Sequence, residues 1–222
     1  MMDPNHKLWN ARHQTLREFL KRPANHYPEV IDLFLTQHAA VHARAVSGTE
    51  DWSFEEETWD GLTEDVARCV VGDHSIAWVY WHLARIEDMT MNVLVAGTEQ
   101  VFNPEWQARL AAPDVETGNA MPAERIAAFS ACVDLAALRD YHIAVGTRTR
   151  AIAQALTPAE LRRKAPPERI ERLRSTGHVL PDAAGLLDYW GGLAIGGLLL
   201  MPPTRHCFLH FNEAKRIRAA LR

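Results

Sequence analysis

Four stretches of this sequence space their apolar residues three and four positions apart, and almost nowhere does an apolar residue alternate strictly with a polar one. Three-to-four spacing lines one face of a helix, whereas alternation lines one face of a strand, so the chain reads as all-α. The first stretch, EVIDLFLTQHAAVHARAV, follows Pro28, a residue suited to a helix's first turn, and stops at Gly48. The second, SIAWVYWHLARIEDMTMNVLVAG, runs from Ser75 to a stop at Gly97. The third, DLAALRDYHIAVGTRTRAIAQALT, starts at a capping Asp134 and ends before Pro158. The last follows Pro203 to the C-terminus, where KRIRAALR puts cations at the negative end of the helix dipole. Four long helices are expected to form a bundle with extra helices between them. LWNARHQTLREFLKR, within residues 1–26, is expected to pack outside that bundle as an additional N-terminal helix.

With 222 residues and 47% hydrophobic composition, the chain can bury one sizeable core. No Ser/Gly-rich or Pro-rich tract divides it, so a single domain over 1–222 is expected. A net charge of −4, from 24 basic and 28 acidic residues, creates no field that would draw the molecule to nucleic acid or anionic lipid. Small molecules are the expected partners. The N-terminus lacks an apolar targeting run, and Cys69, Cys132 and Cys207 lack paired spacing, which points to a reducing cytoplasm. The apolar run from Tyr189 to Met201, YWGGLAIGGLLLM, falls short of the roughly 20 residues a membrane span needs. Its Gly192 and Gly196 form a G-x-x-x-G, read here as tight packing in the core, with a homodimer face as the alternative.

Histidine is the residue whose placement speaks to function. At about 100° per residue, His206, Leu209, His210, Glu213 and Ile217 share one face of the last helix. His82 shares its face with Trp78, Val79, Ile86, Met89 and Val93, and His38 and His42 share theirs with Ile31, Phe34, Leu35 and Val41. Five histidines thus face inward from three helices. Burying a neutral imidazole unpaired costs about 1–3 kcal/mol, so such a cluster calls for a shared partner, and a divalent cation is one. Histidines at i and i+4 can both reach one ion at about 2.0–2.1 Å, with a third ring from another helix. The zincin arrangement is excluded because Cys207, not glutamate, follows His206. A di-iron bundle is excluded because no histidine has a glutamate three residues before it. A mononuclear three-histidine site with an open position remains. His6, His13, His26, His74, His142 and His178 follow no companion pattern and are read as surface or isolated residues.

The stretch HSIAWVYWHLARIED, taken with TRHCFLHFNEA on the last helix, resembles the DinB-like (DinB/YfiT) superfamily from about Pro28 onward. That resemblance implies a four-helix bundle holding a divalent metal through one histidine of the second helix and an H-x-x-x-H pair of the fourth. These are His82, His206 and His210 here. Zinc is the first expectation, with nickel, iron or manganese as alternatives. Members of the superfamily include metal-dependent enzymes that act with low-molecular-weight thiols, so the implied function is activation of a thiol or water for transfer or hydrolysis on a small molecule. The alternative is a non-catalytic, stress-related metal or small-molecule binding protein. Two insertions, around FNPEWQARLAAPDVETGNAMP and RRKAPPERIERLRSTGHVLPD, depart from the family pattern; they either wall the metal or lie outside as solvated helices. His38 and His42 are also extra, as cavity residues or additional ligands. Glu213 is the candidate proton acceptor, unless it simply pairs with Arg216, and Trp78, Tyr189 and Trp190 are candidate pocket walls.

Overall fold

A computed structural model describes residues 3–221. Among them there is no strand, only two isolated bridges, Val71 with His74 and Lys164 with Ala194. The chain is all-α. Among the described residues no helix is long and apolar enough to cross a membrane.

Helix α1 (Pro4–Phe19) begins where the Asp3 side chain accepts a hydrogen bond from the Asn5 amide at 2.8 Å. It is part of the core rather than an addition to its outside. Trp9 lies in a 4.2 Å stack on Phe208, and Leu16 is fully buried. The expected first bundle helix is broken in two: α2 (Glu29–Ala39), then a turn, then α3 (Arg44–Ser47). Two hydrogen bonds explain the break. The Ala40 carbonyl, which a continuous helix would commit to the Arg44 amide, accepts instead from Phe54 at 2.9 Å, and the Arg44 amide donates to Glu56 at 2.8 Å. Two short helices follow, α4 (Phe54–Trp59) and α5 (Glu64–Arg68).

The second long helix starts at Ser75, whose hydroxyl accepts from the Trp78 amide at 2.9 Å. It runs as α6 (Ile76–Glu87) and then widens into a π-helical stretch (Asp88–Ala96) that ends at Gly97 in the left-handed conformation. After α7 (Pro104–Leu110) and α8 (Ala123–Cys132), α9 (Leu135–Ala155) follows its Asp134 cap as the spacing predicted. The second insertion contributes α10 (Pro167–Ser175) and leads to α11 (Gly185–Gly192). The last bundle element starts earlier than Pro203. Helix α12 (Ile195–Leu200) continues through Pro202 and Pro203 as a π-helical stretch (Met201–His206) into α13 (Cys207–Ala220). Proline supplies no N–H, and the carbonyls this frees find other donors. The Thr204 hydroxyl reaches Leu199 and Leu200 at 2.9 Å, and the His13 Nε2 lies 3.0 Å from the Leu200 oxygen. The helix can therefore carry two prolines into the core. Gly196, half of the G-x-x-x-G, is used within the chain: a Cβ there would stand 2.9 Å from Leu20 Cδ2 and 3.1 Å from the Leu161 oxygen.

Four helical lines make the bundle: α2, α6 with its π extension, α9, and α12 through α13. Its apolar interior is split along the bundle axis. One cluster gathers Trp78, Trp81, Leu138, Tyr141 and Phe211; the other gathers Phe34, Met89, Leu94, Leu156 and Leu199. Where they meet, each line contributes buried polar residues instead: His38 and His42, then Arg85, Glu87 and Asp88, then His142 and Thr149, then Thr204. Both π stretches begin or end at this junction, which is where widened turns often accompany a functional site.

Candidate metal centre

His82, on α6, is 2% exposed, while His206 and His210, one turn apart where the π stretch passes into α13, are partly exposed. Donor atoms of the three rings lie within 4.8 Å of one another. The structure therefore brings together the three residues that the family pattern singled out.

The hydrogen bonds around them decide which ring nitrogens are free. The His82 Nδ1 donates to the Thr117 carbonyl at 2.7 Å, since a carbonyl can only accept, so in the neutral ring Nε2 is a bare lone pair. That lone pair faces the His206 Nε2 at 3.1 Å. The His210 Nδ1 donates to Glu213 at 2.6 Å, which leaves its Nε2 free in the same way. A carboxylate or carbonyl behind each imidazole is how metal-bound histidines are usually oriented. His206 lacks such support: its Nδ1 is buried without a partner. Burial, with His210 adding to it, pushes the pKa of His82 down to about 3 against the opposing Thr117 bond. Burial followed by the His82 and His210 charges holds His206 well below its ordinary value. Both rings are neutral at physiological pH, the state in which imidazole binds a metal.

Glu213 does not pair with Arg216. Its second oxygen accepts from the His74 Nδ1 at 2.7 Å, so the carboxylate bridges His74 and His210. Partial burial works to raise its pKa, but the His210 and His74 hydrogen bonds outweigh burial and keep the carboxyl well below the usual range. Trp78 is packed between the rings of His74, at 3.6 Å, and His82, at 4.6 Å, nearly parallel to both. Expected as a pocket wall, it instead backs the His82 ring. His74, read from sequence as isolated, is thus part of the site; its eight-residue separation from His82, with Trp78 midway, is the signal that could have found it.

The first insertion walls this centre. It carries Thr117, and the Thr117 amide in turn donates to the His178 carbonyl in the second insertion at 3.0 Å. Gly118, at φ +86°, lies against Trp78; a Cβ would stand 2.8 Å from the indole nitrogen. Arg85, fully buried, ties the same loop down through the Val115 carbonyl at 2.8 Å. The second insertion is also less solvated than its charge pattern suggested. The Arg169 guanidinium donates to the Leu94 and Val95 carbonyls at 2.9 and 2.7 Å, closing the end of the π stretch.

Other expected site residues fall elsewhere. Trp190 is buried in the other apolar cluster, with Leu173 and Leu187, and Tyr189 is 47% exposed on α11. Leu209, expected on the inner face, is 44% exposed. His38 and His42 are fully buried but gather around Glu87, not around the triad. His142, read as isolated, is 1% exposed and lies in a 4.8 Å stack on His42.

The profile of the DinB superfamily matches residues 49–181 of this sequence. The chain belongs to the DinB superfamily. The matched stretch holds His82, His74 and Thr117, while His206 and His210 lie beyond it, joined to it by the fold. No curated protein matches the sequence.

Proposed function

We propose that His82, His206 and His210 hold a divalent cation, with zinc the first expectation and nickel, iron or manganese the alternatives, and that this DinB protein is a metal-dependent enzyme acting on small molecules. The observation that carries the reading is the pair of Nε2 atoms 3.1 Å apart, one of them already a committed lone pair. Ligand atoms on a tetrahedral ion with bonds of about 2.0–2.1 Å stand about 3.3 Å apart, so the rings fit such an ion with little movement. When bound, the ion lowers the pKa of a thiol or water at its open position. The protein's own residues do the rest. Glu213 fixes the His210 ring, Thr117 fixes the His82 ring, and Trp78 holds His82 from behind. A shallow groove lined by His6, Leu209, His210, Glu213, Lys215 and Arg216 gives access from solvent. Arg216, which also lines the groove, forms no ion pair among the described residues, which suits a substrate bearing an anionic group. Three free cysteines fit a reducing cytoplasm.

One observation favours a second reading, a non-catalytic protein that binds metal or a small molecule. Glu213 is engaged by two histidines and is a poor proton acceptor. A panel of cellular thiols with a chromogenic electrophile separates the readings. The enzyme reading expects the metal-loaded protein to outpace both the metal-free form and His210→Ala. If it does not, and activated esters and amides are also left intact, the binding-protein reading stands.

A further inference from the structure

The polar junction of the bundle has two halves, and only one is closed by its own hydrogen bonds. In the first half Asp88 faces Arg85 at 3.6 Å and accepts from the Val101 and Phe102 amides and the Tyr141 hydroxyl at 2.7–2.8 Å. Its neighbour Glu87, also fully buried, has no arginine or lysine. It meets the His38 Nε2 at 3.1 Å and the His42 Nε2 at 2.9 Å.

The His42 ring cannot be neutral in that arrangement if Glu87 is ionised. Its Nδ1 lies 3.0 Å from the His38 carbonyl and must carry the hydrogen, so Nε2 would be a lone pair pressed against a carboxylate oxygen. Two acceptors in contact away from water require a positive charge between them. The same backbone bond to Nδ1 marks His82 in the triad, where it presents Nε2 outward. Other polar atoms of this half are also unmatched: His38 Nδ1 and both nitrogens of His142 are buried without partners.

We propose that His38, His42 and Glu87 form a second metal site, separate from the triad and structural in kind. Their donor atoms all lie within 4.8 Å of one another, and the 2.9 and 3.1 Å contacts are within a few tenths of an ångström of what a tetrahedral ion imposes. Cys207, fully buried, lies beside this group rather than in it: its sulfur is 3.9 Å from Glu87 and is turned to the Pro202 carbonyl at 3.4 Å. All three side chains are closed to solvent, which fits a structural centre and leaves no room for substrate. The ion would tie α2 and the turn after it to α6 at the point where the two apolar clusters meet.

The test is stoichiometry. Protein purified without nickel resin is loaded with zinc, desalted, and analysed for metal as wild type, as the His206→Ala, His210→Ala double variant, and as Glu87→Gln, each checked by circular dichroism. Two zinc ions per chain in wild type, one in the double variant and one in Glu87→Gln are expected. The ion kept by the double variant should also resist a chelator until the protein is unfolded. A folded double variant with no zinc would overturn the proposal and leave a proton between His42 and Glu87. If Glu87→Gln does not fold, the double variant decides alone. One zinc that is lost from Glu87→Gln but kept by the double variant would support this site while refuting the triad.

Discussion

Replacing His142 by phenylalanine tests the electrostatic description of the junction where it is most quantitative. The ring is 1% exposed, stacks on His42 at 4.8 Å, meets Tyr80 and Phe211 edge-on at 5.6 and 5.9 Å, and hydrogen-bonds to nothing. Burial first, then the His42 charge, pushes its pKa down to about 3. In the unfolded chain it titrates near the ordinary histidine value of 6.5. Between those limits the unfolded state carries a proton that the folded state refuses, so stability falls as pH drops through the window and is unaffected above it. The slope is about 1.4 kcal/mol per pH unit, or about 3 kcal/mol between pH 6.5 and 4.5. Phenylalanine has the same shape without the titration, and without two unsatisfied nitrogens, each of which costs on the order of 1–3 kcal/mol.

His142→Phe is therefore expected to be at least as stable as wild type at pH 7.5, with an advantage that widens by about 3 kcal/mol at pH 4.5. Urea unfolding of chelator-treated protein, followed by circular dichroism at pH 7.5, 6.5, 5.5 and 4.5, measures the difference. Comparing the two proteins removes the contribution of groups that do not touch His142. Parallel stability curves for the two proteins, separated by a constant at every pH, would refute the reasoning, because they would mean that His142 takes up a proton as readily folded as unfolded.

Three further outcomes follow from single contacts. His82→Ala should lose the triad metal while His178→Ala keeps it, since the His178 side chain reaches only Gln100, at 3.1 Å; elemental analysis of both proteins decides. Glu213→Gln should weaken triad metal binding by about 10–100-fold in competition with a chromophoric chelator, because the orienting charge behind His210 is gone, and unchanged affinity would remove its positioning role. Arg85→Met should cost about 3–5 kcal/mol in urea unfolding, leaving Asp88 and the Val115 carbonyl uncompensated in the core; a loss under about 1 kcal/mol would contradict the closed network.

What sequence could reveal here depended on whether a residue's role is set by its own helix or by another segment. Helix α9 and its Asp134 cap, the Ser75 start and the Gly97 stop are local, and the spacing located all of them. Helical spacing showed the i and i+4 pair and five inward-facing histidines, while the choice of His82 as companion to His206 and His210 came from the family resemblance; the fold does bring those three rings together. The break after α2 was not legible, since it depends on Phe54 and Glu56 taking bonds that the helix would otherwise use. Nor was the early start of the last bundle element, because a proline pair normally ends a helix, and here the Thr204 hydroxyl and His13 stand in for the missing amides.

The same distinction explains why spacing left the partners of His38 and His42 open. Helical spacing gives the direction in which a side chain leaves its own axis, and both do face inward. It gives no depth along the bundle. Glu87 and His82 are five residues apart on one helix, so their side chains leave it in nearly opposite directions, toward different neighbours. An inward-facing histidine on α2 meets the Glu87 side of α6, while one on the last bundle element at the level of His206 meets the His82 side. The π stretch before α13 sets these levels: it delivers His206 to the triad and, one residue later, Cys207 to Glu87. A regular helix would also separate successive residues by about 100°, but it could not carry Pro202 and Pro203 and still bring both side chains to the junction. The two prolines and Thr204 are thus as much a part of the site as the histidines, and they contribute it through the backbone rather than through any donor atom of their own.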